Sequence, residues 1–419
     1  MSSGAVPPSV KIDRDALARE IDELARISAA PAPVVTRVLY SPADLQARAA
    51  IRQRARAAGL EVREDAVGNL FARWAGRDPS LAAVATGSHT DAIPNAGRFD
   101  GVVGTLGGFA ALEALRRGGF SPRRSLEAVM FTAEEPTRFG LGCLGSRLLA
   151  GALPLARARA LRDPEGRTLE ELRREAGFGG DLESVALPAG CYHAFVELHI
   201  EQGPLLERAG VAIGLVEHIA GPSSYRLTLG GEGGHAGAVL MPVRHDASLA
   251  AAEIALAVEQ AARNSGSPDT VGTTGVWRIE PGAINSVPNR AQIEIDLRDT
   301  RLETRDRALA EIRRAAEAAC ARRGVTLEWA EINADPPAAG DARTIAVAEA
   351  VCAELGRSCQ RMVSRAYHDS LFLARICPTT MIFIPCRNGW SHRPEEYASP
   401  TDIAVGVEVL AHTLARLAA

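Results

Sequence analysis

Lysine is all but missing from this chain: Lys11 is the only one, so nearly all of the 47 basic residues are arginines. That bias reads as genome composition and carries no functional message. A surplus of positive charge is missing as well, because 51 Asp and Glu residues leave a formal net charge of −4. Duplex nucleic acid is bound by basic surfaces that displace counterions, so that class of partner is excluded. No apolar run approaches the roughly 18 residues needed to span a bilayer. The first ten residues lack the basic and apolar regions of an export signal, and a cytoplasmic location is expected. The seven cysteines show neither paired spacings nor a CxxC, which fits reduced thiols rather than a disulfide framework. What is present, 47% hydrophobic and 23% charged over 419 residues, suits a soluble globule of two to three domains' worth of core.

The order of elements predicts an α/β chain with an insertion. Apolar residues recur at helical spacing from Arg14 to Ala57, interrupted by Pro31, Pro33 and Pro42. Short apolar runs at Leu81–Thr86, Leu126–Thr132, Ala194–Ile200 and Met381–Cys386 each read as a buried strand. Gly101–Gly108 reads as a glycine-rich lead into a helix at Phe109–Arg117. Thr168-Leu-Glu-Glu171 is a capping-box pattern that starts a surface helix. The middle of the chain has another rhythm. Strand Ser224–Gly230, helix Asp246–Arg263, strands Thr270–Ile279 and Ala291–Arg298, helix Arg305–Arg322 and strand Val325–Ile332 form the order β-α-β-β-α-β of a split-βαβ sandwich. The expected organisation is a discontinuous catalytic domain, residues 1–218 and 335–419, with a smaller domain inserted at 219–334.

Metal-type side chains follow each of the four core strands. The first runs into Gly87-Ser-His89-Thr-Asp91, with Asp100 nine residues later; the second runs into Glu134-Glu135; the third into His199-Ile-Glu201-Gln202; the fourth into Ser391-His392-Arg-Pro394. Any one of these alone would be an ordinary cap or surface pair. Open α/β sheets bind ligands at the carboxyl ends of their strands, so four such ends point at one crevice. Imidazole with carboxylate and no thiolate suits Zn²⁺ or Mn²⁺.

The motifs GSHTDAIPNAGRFDG, FTAEEPTRFG, ELHIEQGPLLE, GGHAGAVLMPVRHDA, PGAINSVPN with IDLRD, and SHRPEEY resemble those of the dinuclear-metal amidohydrolases of the aminoacylase and carboxypeptidase clan. The branch is that of N-carbamoyl-L-amino acid hydrolases, allantoate amidohydrolases and ureidoglycolate amidohydrolases, and the likeness runs from about residue 14 to the C-terminus. The resemblance implies a metallopeptidase-like catalytic domain with a ferredoxin-like lid and dimerisation domain, two divalent ions per subunit, and a homodimer. It implies that His89, Asp100 and His199 hold one ion and that Asp100, Glu135 and His392 hold the other, with Asp100 bridging. Glu134 is then the general base, and Asp91 the carboxylate that orients the His89 imidazole. His235 would stabilise the developing oxyanion, from the same chain or from a partner subunit. Asn285 and Arg298 would hold a substrate carboxylate, for which an Arg guanidinium is geometrically suited. Gln202 and His368 are further expected neighbours of substrate.

One segment departs from the wider branch. Where carbamoylases and allantoate amidohydrolases usually read Ser-Gly-Ala-Gly-His-Asp-Ala, this chain has Ser364-Arg-Ala-Tyr367-His-Asp-Ser370. Arg365 and Tyr367 in place of glycines are expected to shrink and polarise one wall, as in ureidoglycolate amidohydrolases. The expected reaction is cleavage of the ureido C–N bond of ureidoglycolate to glyoxylate, ammonia and carbon dioxide. The alternatives are a carbamoyl-amino acid or allantoate amidohydrolase, and an inactive binding relative. The last conflicts with the presence of Glu134 and all five ligand positions.

Overall fold

The computed structural model describes residues 10–419. The N-terminal stretch read above for an export signal therefore lies, but for Val10, outside the described residues. The chain divides into two units: residues 1–217, 339–364 and 368–419 form one, and residues 218–338 with Arg365–Tyr367 form the other.

The larger unit is built on a mixed sheet. Its centre is four parallel strands in the spatial order Leu126–Phe131, Ala83–His89, Tyr192–Ile200 and Thr379–Ile384. Antiparallel strands extend it on both sides: Leu70–Trp74 and then Glu61–Glu64 beyond the first, and Ile213–Ile219 beyond the last. Three of the four central strands are buried at every position, which explains why they read as continuous apolar runs rather than alternating ones. Successive side chains still divide between two cores. Val84 and Leu198 pack under the long helices Arg14–Ala25, Val102–Arg117 and Pro400–Leu417, while Ala85 and Phe195 join the cluster beneath the short helices Leu144–Leu149 and Leu169–Glu175.

The capping box at Thr168 is present, with the Thr168 side chain accepting from the Glu171 N–H and the Glu171 carboxylate accepting from the Thr168 N–H. The glycine-rich lead is a difference. The helix begins at Val102, seven residues earlier than expected, and carries Gly104, Gly107 and Gly108 inside it. A Cβ on Gly104 would lie 2.3 Å from the Leu198 carbonyl oxygen. Close approach of helix to sheet outweighs the poor helix propensity of glycine here.

The smaller unit is a four-stranded antiparallel sheet in the order Val271–Glu280, Arg290–Asp299, Gly221–Gly230, Thr326–Ala334. The helices Ala247–Arg263 and Leu302–Arg323 pack on it through one apolar cluster. Burial alternates along Arg290–Asp299, matching its sequence pattern. The boundaries fall at 217/218 and 338/339 rather than 218/219 and 334/335, and Arg365–Tyr367 groups with this unit.

All seven cysteines are free thiols. No helix among the described residues is long and apolar enough to cross a membrane.

Candidate metal centre

Parallel strands put all their carboxyl ends on one edge, and that edge gathers the side chains singled out above. His89 is the last residue of its strand and His199 the last but one of its own. Asp100 lies in the turn before the Val102 helix, and Glu134 and Glu135 follow Leu126–Phe131 after Ala133, whose φ is 52°. His392 follows the fourth strand with φ 59°. Positive φ at Ala133, Gln202 and His392 means the fold holds these turns in conformations that cost non-glycine residues energy.

Three groups of ligand-type atoms result among the described residues; two share Asp100, namely His89, Asp100 and His199, and Asp100, Glu135 and His392, and the third is the fully buried Glu197, His199 and His368. Asp100 Oδ1 lies 3.2 Å from His199 Nε2 and 3.5 Å from His89 Nε2. Asp100 Oδ2 lies 3.3 Å from His392 Nε2, which is 3.4 Å from Glu135 Oε1. The far nitrogens are occupied by main-chain carbonyls: Nδ1 of His89 by Asp91 O at 3.0 Å, and Nδ1 of His199 by Ile200 O at 2.9 Å. Those bonds favour the tautomer protonated on Nδ1, which leaves each Nε2 an acceptor beside Asp100; at His199 that nitrogen accepts from the Gly101 N–H at 3.2 Å. Gly101, at φ 66°, must lack a side chain, since a Cβ would lie 2.4 Å from His89 Nε2.

Asp91 does more than face His89. Its carboxylate lies 3.6 Å from His89 Nδ1, and it accepts from the main-chain N–H groups of Glu134 at 3.3 Å and Glu135 at 3.0 Å. It therefore sets the turn that presents both glutamates, while its own backbone carbonyl holds the imidazole. Glu134 reaches within 3.7 Å of His89 Nε2, and the buried Cys143 thiol lies 3.6 Å from Glu134 Oε1. The sequence offered no signal for Cys143.

The electrostatics favour cations. Burial, together with Asp100, pushes the Glu135 carboxyl up to about 7. Burial, with Glu135 and Asp369 nearby, drives Glu134 well above the ordinary range. Burial alone would raise Asp100 too, but the three imidazoles hold it well below. The hydrogen bond to Asp100 lifts His392 to about 9 against the effect of burial. A buried crowd of carboxylates must be neutralised, and divalent ions do so most fully. The set of ring nitrogens and carboxylate oxygens, with Gln202 Oε1 buried and without a hydrogen-bond partner beside it, fits such ions.

Gln202 and His368 are both engaged within the centre. The Gln202 amide donates to Asp100 Oδ2 at 2.7 Å. His368 is 2% exposed, lies 3.1 Å from Ser364 Oγ through Nε2, and packs against His199 with ring centroids 4.5 Å apart and the ring planes tilted by 58°. Both brace the ligand-type residues, and the His368 ring is buried against His199.

The remaining predicted residues lie on the smaller unit. His235 is exposed in a two-stranded ribbon, paired with Ser286, and Ala236 N–H donates to Asn285 O at 2.8 Å. Arg298 bonds Asp296 through Nε at 2.6 Å, and its guanidinium lies 4.9 Å from the centre of the Tyr367 ring. Arg365 was expected to line the pocket wall, yet its guanidinium pairs with Asp269 at 2.5 Å. Tyr367 and Arg365 thus brace Arg298, whose Nη1 also donates to Arg365 O at 3.4 Å.

Comparison with known proteins adds names to this geometry. A family model described as Peptidase family M20/M25/M40 matches residues 85–416. A ureidoglycolate hydrolase of Oryza sativa subsp. japonica is 53% identical over 411 residues, 97% of this chain and 85% of that protein. An N-carbamoyl-L-amino acid amidohydrolase of Geobacillus stearothermophilus is 39% identical, covering 97% and 99%. The crystal structure of AtUAH in complex with (S)-hydroxyglycine superposes with a TM-score of 0.94 at 51% identity, over 99% of this chain and all of that one.

Proposed function

The chain belongs to Peptidase family M20/M25/M40, and from that membership we propose that it hydrolyses the ureido C–N bond of ureidoglycolate, releasing glyoxylate, ammonia and carbon dioxide. The observation that carries this reading is the pair of ligand-type clusters sharing Asp100 at the edge of the sheet, in a chain about half identical to ureidoglycolate hydrolases.

His89, Asp100 and His199 would hold one divalent ion, and Asp100, Glu135 and His392 the other, with Mn²⁺ or Zn²⁺ suited to both donor sets. The chemistry supplied there, with ions bound, would be Lewis acidity toward a water and the ureido carbonyl. Glu134, beside a ligand but not itself one, takes the proton of the attacking water and returns it to the leaving nitrogen. Asp91 keeps Glu134 and Glu135 in place through their N–H groups. The smaller unit acts as lid and dimerisation domain. On it, His235 stabilises the oxyanion that develops on the carbonyl oxygen, and Asn285 and Arg298 hold the substrate carboxylate.

A cytoplasmic homodimer is the working form. Leu249 and Leu256, one heptad apart on the helix Ala247–Arg263, are 42% and 67% exposed, and an apolar stripe of this kind supports pairing through that unit.

Elemental analysis and turnover together test the reading. Active protein is expected to contain two divalent ions per chain, to convert ureidoglycolate to glyoxylate and ammonia, to stop on chelation, and to resume with Mn²⁺ or Zn²⁺. Active, unchelated protein with fewer than one ion per chain would defeat the dinuclear account.

A further inference from the structure

Glu396 takes no part in the roles assigned so far, yet it is among the most heavily engaged side chains near the centre. It is 3% exposed. Its Oε1 accepts from the main-chain N–H groups of Phe99 at 2.8 Å and Asp100 at 3.0 Å. Its Oε2 lies 2.8 Å from Ser391 Oγ, and that same hydroxyl lies 2.8 Å from Asp100 Oδ2. The chain around Asp100 approaches so closely that a Cβ on Gly97 would lie 2.4 Å from the Glu396 Cβ.

Consider what this bracing joins. Asp100 is the residue common to both clusters. His392, one residue from Ser391, is half exposed, carries φ 59° and leads into a loop with no regular structure. Nothing in strand or helix geometry fixes its ring against Asp100, so the loop needs a tether. A carboxylate accepting two main-chain N–H bonds is a strong one. We propose that Glu396 is a positioning residue for the ion shared by Asp100, Glu135 and His392: it locks the Asp100 main chain and, through Ser391, holds the His392 loop in register with it. The proposal rests on the two-ion reading above and goes beyond it by naming what builds the second site.

Ion binding to the chelator-stripped full chain, titrated with Mn²⁺ by calorimetry, reads this directly. The wild type shows two binding events. Glu396→Gln keeps an acceptor for both N–H groups and an amide that donates to Ser391, so it binds both ions with close to wild-type affinity. Glu396→Ala keeps neither and loses affinity for one event by roughly 10–100-fold, the usual effect of removing a residue that orients a ligand. Ser391→Ala removes the hydroxyl that joins Glu396 to Asp100 and to Gln202, leaves the two main-chain N–H bonds of Glu396 in place, weakens the same event, and serves where Glu396→Ala folds poorly. Wild-type binding by Glu396→Ala or by Ser391→Ala overturns the proposal. So does a loss in Glu396→Gln as large as in Glu396→Ala, since charge rather than hydrogen bonding would then be at work. A wild type that binds fewer than two ions instead overturns the two-ion reading, and the proposal with it.

Discussion

Replacing Glu134 by Gln is expected to lower kcat by about 10²–10⁴-fold, the usual contribution of a positioned general base, while ion content stays at the wild-type level. Glutamine keeps the size and shape of the side chain and can still face the Cys143 thiol, but it cannot accept the proton of the attacking water. The main chain around it has independent support. Glu134 O accepts from Cys143 N–H at 2.7 Å, and Glu134 N–H donates to Asp91. The substitution is therefore local. Glu135→Gln is the informative contrast: one residue along, it should lower occupancy of the His392 site. Elemental analysis beside single-turnover kinetics separates the two, and substantial turnover in Glu134→Gln would remove Glu134 from the role of base.

Replacing Arg298 by Ala should cut kcat/KM for every carboxylate substrate by roughly 10–150-fold, corresponding to about 1.5–3 kcal/mol for hydrogen bonds to a charged group. The loss should appear mainly in KM, because the carboxylate is remote from the bond that breaks and is held alike in ground and transition states. Asp296 on one side and the Tyr367 ring on the other keep the guanidinium from swinging into solvent. Steady-state kinetics decide the point. An unchanged KM would show that the carboxylate is anchored elsewhere.

Much of this was readable from the chain because its centre is a parallel sheet. Strands buried on both faces demand unbroken apolar runs, and each run here stops where polar side chains begin. The ends of Ala83–His89, Leu126–Phe131, Tyr192–Ile200 and Thr379–Ile384 were therefore visible as places where chemistry could start. The smaller unit was legible for the opposite reason: Arg290–Asp299 is half buried, so its residues alternate.

What escaped depends on contacts distant along the chain. Glu396 bonds the main chain of a residue 297 positions away, and Cys143 matters only because its turn folds back on Glu134. Asp91 illustrates a partial reading. Its spacing from His89 indicated a partner for the imidazole, but the N–H groups it also holds belong to residues 43 and 44 positions on. The segment at 365–367 shows the converse limit. A change of side chain from glycine to Arg and Tyr says that space is filled, and only the fold shows that Asp269 and Arg298 are what they fill it against.

The substrate is the central claim, and one measurement addresses it most directly: kcat/KM of the metal-loaded protein for ureidoglycolate, allantoate and N-carbamoyl-L-amino acids, followed by ammonia release under one set of conditions. The account predicts that ureidoglycolate is preferred by roughly tenfold or more over either competitor, with glyoxylate formed alongside the ammonia. Preference for allantoate or a carbamoyl-amino acid, or ammonia released from ureidoglycolate without glyoxylate, would contradict it.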